Sequence, residues 1–239
     1  MDAHTMPRRR PPGLFVTGTD TGVGKTYVAA GIARCLAAEG ARVGVLKPLA
    51  TGVPGGSWPD DAIELAGAVG PVPLDWVAPI RLGAPLAPSV AARREGRALF
   101  MSEIIYTTKN SMSLWPVETE VFVVEGVGGL LCPIAEDGTV ADLALALDYP
   151  LVVVTRRGLG ALNHSLLTVE AARSRGLRVA AVVFNGDPGE GPAGATNPAE
   201  LSRWLPGVAV VEGPGLGGDA ATALGGEGWR RRAFPSRIS

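Results

Sequence analysis

Six nearly continuous apolar runs punctuate the chain, at residues 14–16, 42–46, 121–124, 151–155, 179–184 and 208–211. Each is rich in Val or Leu and does not alternate with polar residues, which is the pattern of strands buried on both faces. Between them, apolar residues at helical spacing predict helices over 24–38, 61–68, 140–146, 161–175 and 198–204. Strand–helix–strand alternation of this kind predicts an α/β fold: a single domain with a mostly parallel central sheet and helices on both faces. Residues 52–59 and 187–198 are rich in Pro and Gly and read as loops. Residues 101–116 are expected to cover the sheet as a helix, although the run Tyr106-Thr107-Thr108-Lys109-Asn110-Ser111 forms helices poorly.

Composition narrows the class. A chain of 239 residues suffices for one α/β domain with a sizeable core. We assign that domain to residues 13–224, preceded by a disordered polar extension at 1–12 that contains Arg8-Arg9-Arg10, and followed by a loosely ordered Gly- and Arg-rich tail at 225–239. Met6 offers an alternative start. The net charge of −1 supplies no global field toward nucleic acid or an anionic membrane. The hydrophobic content of 46% comes largely from Ala and Val, and no stretch of about 18 uncharged apolar residues is present to span a bilayer. Cys35 and Cys132 form neither a metal spacing nor a secreted disulfide framework, and no signal peptide precedes the domain, so a cytoplasmic location is expected.

Chemistry concentrates after the first strand, in Gly18-Thr19-Asp20-Thr21-Gly22-Val23-Gly24-Lys25-Thr26. A buried strand, a glycine-rich turn and a helix opening at Gly-Lys-Thr are the parts of a phosphate-binding loop (P-loop). Backbone N–H groups converge on one concavity and the helix N-terminus adds its positive dipole end. The common spacing would put glycine at Thr19; here Gly18 stands one residue earlier, so the loop is a variant.

Three further landmarks lie at or near strand ends, where parallel sheets place their ligand crevice. Lys47 ends the second strand just before Pro48, and either points at the same phosphates or is a solvated lysine. Asp60-Asp61 opens a short helix; one carboxylate can cap it and the other can reach a magnesium ion. Glu125 ends the apolar run at 121–124 and precedes Gly126-Val127-Gly128-Gly129. A carboxylate there is costly to bury unpaired, and it suits either magnesium or a salt bridge.

These motifs, together with Lys47-Pro-Leu-Ala-Thr-Gly52 and Leu159-Gly-Ala-Leu-Asn-His164, occur in the order seen in dethiobiotin synthetase, which the chain resembles over residues 14–185. The resemblance implies an ATP- and Mg2+-dependent cyclo-ligase of biotin synthesis in the P-loop superfamily. Its substrates would be 7,8-diaminononanoate and CO2. It implies Lys47 and Lys25 as catalytic lysines, and Thr26, Asp61 and Glu125 as magnesium ligands. Nucleotide would be bound by Gly22, Val23, Gly24, Lys25, Thr26, Tyr27, Asp61, Glu125, Gly126, Val127 and Gly128. The adenine pocket would be formed by Asn185 with Gly186, and by Pro214, Gly215 and Leu216. Thr51 would contact the diamine. The family is a homodimer, and Gly160 and Asn163 of the partner would hold the substrate carboxylate.

Two departures stand out. Gly22 occupies a position where many members carry Glu, and Ser89 replaces a histidine in Pro85-Leu86-Ala87-Pro88-Ser89. The other readings weighed are a nucleotide-switched partition-type ATPase and a corrinoid amidoligase relative. Partition ATPases carry a lysine where this chain has Asp20, and the amidoligase reading would require a glutaminase partner.

Overall fold

The computed structural model describes residues 11–55, 57–187 and 192–213. Residues 1–10 and 214–239 lie outside the described residues; they take in most of the expected extension at 1–12, the end of the expected domain with Pro214, Gly215 and Leu216, and the expected tail at 225–239. Six strands form the main sheet: β1 (Gly13–Gly18), β2 (Val43–Leu46), β5 (Val121–Glu125), β6 (Leu151–Arg156), β7 (Val179–Asn185) and β8 (Ala209–Glu212). Their order is β2-β5-β1-β6-β7-β8 and every pairing is parallel. β1 is therefore central, and its carboxyl end, where the phosphate loop begins, opens between β5 and β6.

Burial explains why the strands read as unbroken apolar runs. All residues of β1, β2 and β5 are buried, so helices must cover both faces of this half of the sheet. Phe15, Phe122 and Phe184 are among the largest side chains fully removed from water, each contributing roughly 2–3 kcal/mol of burial free energy. The last strand, β8, is only half-buried, as befits an edge.

The helices are α1 (Lys25–Ala38), α2 (Asp60–Gly67), α3 (Leu74–Val77), α4 (Pro88–Arg94), α5 (Met101–Leu114), α6 (Val140–Leu147), α7 (Ala161–Arg173) and α8 (Pro192–Trp204). Among the described residues none is long and apolar enough to cross a membrane. A second, two-stranded parallel sheet, β3 (Leu49–Thr51) with β4 (Ile80–Leu82), continues the chain just beyond β2.

Four comparisons with the sequence expectations, the first an agreement and the rest differences, are informative. The α5 segment is helical despite its weak propensities, because Ile104, Thr108, Ser111 and Met112 fall on one face and are buried. The Thr108 hydroxyl, a weak helix former, donates to the Ile104 carbonyl at 2.7 Å. The expected loop at 187–198 is helical from Pro192 onward, so α8 contains Pro198. Pro at a helix start has its φ already set, and the buried Asn197 and Leu201 anchor the extended helix by tertiary contact. Third, β2 begins at Val43 rather than Arg42, whose backbone N–H instead meets the Glu120 carboxylate at 3.0 Å. Finally, neither acid of the Asp60-Asp61 pair caps α2: Pro59 is the cap residue and both carboxylates lie in the first turn.

Candidate active site

The phosphate loop is held open by glycine and anchored by neighbouring strands. Gly22 and Gly24 have φ of 72° and 88°, in the left-handed region that a side chain strains. Gly24 has a second reason to be glycine: an added Cβ would lie 1.9 Å from Asn185 Nδ2. Gly24 is also the cap residue of α1; no side chain caps that end and no acidic residue occupies its first turn. The helix therefore presents its positive end to the concavity. The Thr19 N–H bonds Val154 O at 2.9 Å, and the Gly126 N–H bonds Val16 O at 2.9 Å, fixing both loops at the sheet edge.

Around this loop five of the expected residues meet. The Lys47 ammonium donates to Glu125 Oε1 at 2.5 Å, to Asp61 Oδ2 at 2.6 Å and to Gly126 O at 3.2 Å. The Thr26 hydroxyl, in the first turn of α1, donates to the same Glu125 Oε1 at 2.9 Å. Lys25 donates to the Asp20 carbonyl at 3.0 Å and lies close enough to Lys47, Glu125 and Asp61 to feel their charges. The two lysines thus lie within reach of each other's charge rather than in different parts of the molecule.

Burial and mutual charge set the protonation of this cluster. Burial lowers the Lys25 pKa from its ordinary value, and the positive Lys47 adds to the shift. Burial pulls on Lys47 in the same sense, but the Glu125 and Asp61 carboxylates outweigh it and its pKa is raised. Asp61 is opposed by burial and still held below the usual carboxylate range by Lys47. Glu125, with a side chain only 1% exposed, is pushed up by burial against the pull of Lys47. One ammonium thus serves two carboxylates.

Oxygen donors face this cluster: a hydroxyl from Thr26, carboxylates from Asp61 and Glu125, and the buried Glu125 Oε2, which has no hydrogen-bond partner. An orphaned buried carboxylate oxygen is expensive unless a cation meets it. No group of three or more His, Cys, Asp or Glu that could hold a metal is present among the described residues. One or two carboxylates with phosphate oxygens is the donor set magnesium ordinarily takes, so these residues fit that ion.

The remaining expected residues distribute along the same edge. Val23 is buried and Tyr27 half-buried at the start of α1. Gly126, Val127 and Gly128 form the turn after β5. Asn185 ends β7 and its amide donates to Val23 O at 3.0 Å, with Gly186 next at φ 96°. Thr51 ends β3, half-buried, four residues beyond Lys47. Gly160 caps α7 at φ 89° and Asn163 is exposed in its first turn. Among the described residues no hydrogen bond or ion pair links Gly160 or Asn163 to Lys47. Ser89 is buried in the first turn of α4, where its N–H meets Pro133 O at 3.4 Å.

Comparison with known proteins bears on the family. A family model described as an AAA domain matches residues 12–211. The ATP-dependent dethiobiotin synthetase BioD of Anaeromyxobacter dehalogenans is 46% identical over 194 residues, covering 80% of this chain and 84% of that protein. The protein of the same name from Bacillus licheniformis is 40% identical over 195 residues, covering 80% and 81%.

The chain belongs to the dethiobiotin synthetase family.

As a member it is an enzyme, a ligase of biotin biosynthesis built on a nucleotide-binding phosphate loop. Among solved structures, the signal recognition particle receptor FtsY from Elizabethkingia anophelis superposes with a TM-score of 0.52 at 17% identity, over 87% of this chain and 60% of that one. That likeness shows the fold alone.

Interactions not anticipated from the sequence surround the family motifs. Asp20 pairs with Arg156 at the end of β6, and Arg157 pairs with Glu212 at the end of β8. Arg81 stacks over the Trp58 ring at 4.1 Å, beside the start of α2. Consecutive arginines closing an apolar strand are a sequence signal for charge at the strand end, although they do not name their partners.

Proposed function

We propose that this protein closes the ureido ring of dethiobiotin, joining 7,8-diaminononanoate to CO2 at the expense of ATP. One amine of the substrate attacks CO2 and, on losing a proton, becomes a carbamate. A carbamate oxygen attacks the γ-phosphorus of ATP and the bond to the β-phosphate oxygen breaks, releasing ADP. The second amine then attacks the carbamoyl carbon, loses a proton, and expels inorganic phosphate as the ring closes.

The observation that carries this reading is that Lys25 and Lys47 lie within reach of each other's charge beside the open end of α1. Phosphoryl transfer spreads negative charge over the moving group, and positioned cations with helix N–H groups stabilise it. Lys47, held by Glu125 and Asp61, would meet the carbamate and the transferring phosphoryl group. Lys25 would hold the outer phosphates, with the N–H groups from Gly22 to Tyr27 and the turn from Gly126 to Gly128. Thr26, Asp61 and Glu125 would hold Mg2+, which when bound neutralises charge on the phosphate oxygens. Asn185 and Gly186 would read adenine, with Pro214, Gly215 and Leu216 as the opposite wall. Thr51 would contact the diamine, and the Gly160–Asn163 turn of a second subunit would take the substrate carboxylate in a cytoplasmic homodimer.

The direct test incubates the protein with the diamine, bicarbonate, ATP and Mg2+. The expected result is release of ADP and phosphate that depends on the diamine, with a cyclic urea of the correct mass. Hydrolysis of ATP at the same rate without diamine would reject the synthetase reaction in favour of a nucleotide switch.

A further inference from the structure

The first half of the phosphate loop is stitched to the carboxyl end of β6 at three successive levels. The Thr19 N–H bonds Val154 O, the Thr19 hydroxyl meets the Thr155 hydroxyl at 3.4 Å, and Asp20 Oδ2 faces Arg156 Nη2 at 3.5 Å. Asp20 is the joint of the loop. Its Oδ1 accepts the Thr21 N–H at 2.7 Å while its carbonyl accepts the Lys25 ammonium at 3.0 Å.

A carboxylate at this place shapes the turn and also sets a negative charge against any polyphosphate that enters it. The side chains of Arg156 and Asp20 are 60% and 62% exposed, and an ion pair so open to water adds little to folding. Its weight falls instead on the local potential. We propose that Arg156 is a positioning residue of the phosphate loop, whose guanidinium neutralises Asp20 so that the carboxylate can brace the turn without repelling the nucleotide. This rests on the nucleotide-binding role of the loop. It adds a specific partner for Asp20, supplied by β6.

The proposal is tested by a double-mutant cycle read through binding of a fluorescent ATP analogue to the full-length protein. Arg156→Ala should weaken binding about three- to tenfold at low ionic strength, on the scale of one exposed charge acting over several ångströms. The loss should shrink at high salt, leave the melting temperature unchanged, and be restored by Arg156→Lys. In an Asp20→Asn background, where the amide oxygen still accepts the Thr21 N–H and no carboxylate repels the nucleotide, Arg156→Ala should return the affinity to that of the wild type. A double variant that binds no better than Arg156→Ala alone would mean that the guanidinium does not act by balancing Asp20, and would overturn the proposal. So would unaltered affinity in Arg156→Ala, or a wild-type protein that binds no nucleotide. Because the titration needs no diamine, failure of ring closure would leave this outcome readable on its own.

Discussion

The two ends of the proposed ligand crevice are built on different terms. At the β2-β5-β1 end, Lys47 and Glu125 are almost wholly removed from water and each is tied to more than one partner. At the β7-β8 end, Asn185 is half-buried and attached to the phosphate loop by one side-chain hydrogen bond, and β8 is open to solvent on part of its length. A buried charge without its counter-charge costs several kcal/mol, so the first end tolerates almost no change of residue type. A half-buried amide loses less when its neighbours vary. One end of the site is fixed by electrostatics and the other by shape.

That contrast can be broken, and the sharpest blow falls on the charged end. Lys47→Ala should lower diamine-dependent turnover by at least ~100-fold, the scale of losing one group that stabilises developing charge. It should also cost about 3–5 kcal/mol in denaturant unfolding, since Glu125 is left buried without its ammonium. Near-normal turnover in this variant would mean that the reacting centre lies elsewhere.

Gly24→Ala comes next, because it strikes where the phosphate loop meets Asn185. A Cβ at φ 88° is strained and meets the Asn185 amide, so nucleotide affinity should drop by roughly tenfold. Adding Asn185→Ala should recover part of that loss, measured as coupling between the two substitutions. Strict additivity would show that the ends are independent. Asn185→Ala alone should weaken nucleotide binding by about fivefold, the value of one hydrogen bond, with melting little altered.

The smallest effect is a displacement along the pH axis. Burial and Lys47 both lower the Lys25 pKa, so nucleotide binding should weaken with rising pH earlier than an exposed lysine would dictate. Replacing Lys47 by Met removes a positive neighbour and frees Glu125 and Asp61 to favour the Lys25 ammonium. The alkaline limb should then move to higher pH; an unmoved limb would show that the two lysines do not sense each other.

The same contrast decides what could be read from the chain alone. Lys47 and Glu125 were legible because a charge closing an apolar strand has few places to go, and a cavity at the strand ends is the usual one. The six strands of the main sheet were legible for a related reason, since burial on both faces leaves no polar alternation. The satellite sheet was not: β3 and β4 have three residues each, too few for any period. Nor was the start of α8, whose composition signals a loop while Asn197 and Leu201 hold it as helix by burial. Arg156 and Asp20 are 136 residues apart, and nothing local to either one names its partner.

Because every strand of the main sheet runs the same way, its two rims differ entirely in content. Pro11 and Pro12 enter β1 at the amino rim, where Pro11 O accepts the Tyr149 hydroxyl at 2.9 Å. Lys25, Lys47, Asp61 and Glu125 all hang from the opposite rim or from the helices that begin there. A tether joined immediately before Pro11 would therefore attach at the rim away from these four residues. The proposed site would stay turned to the solution.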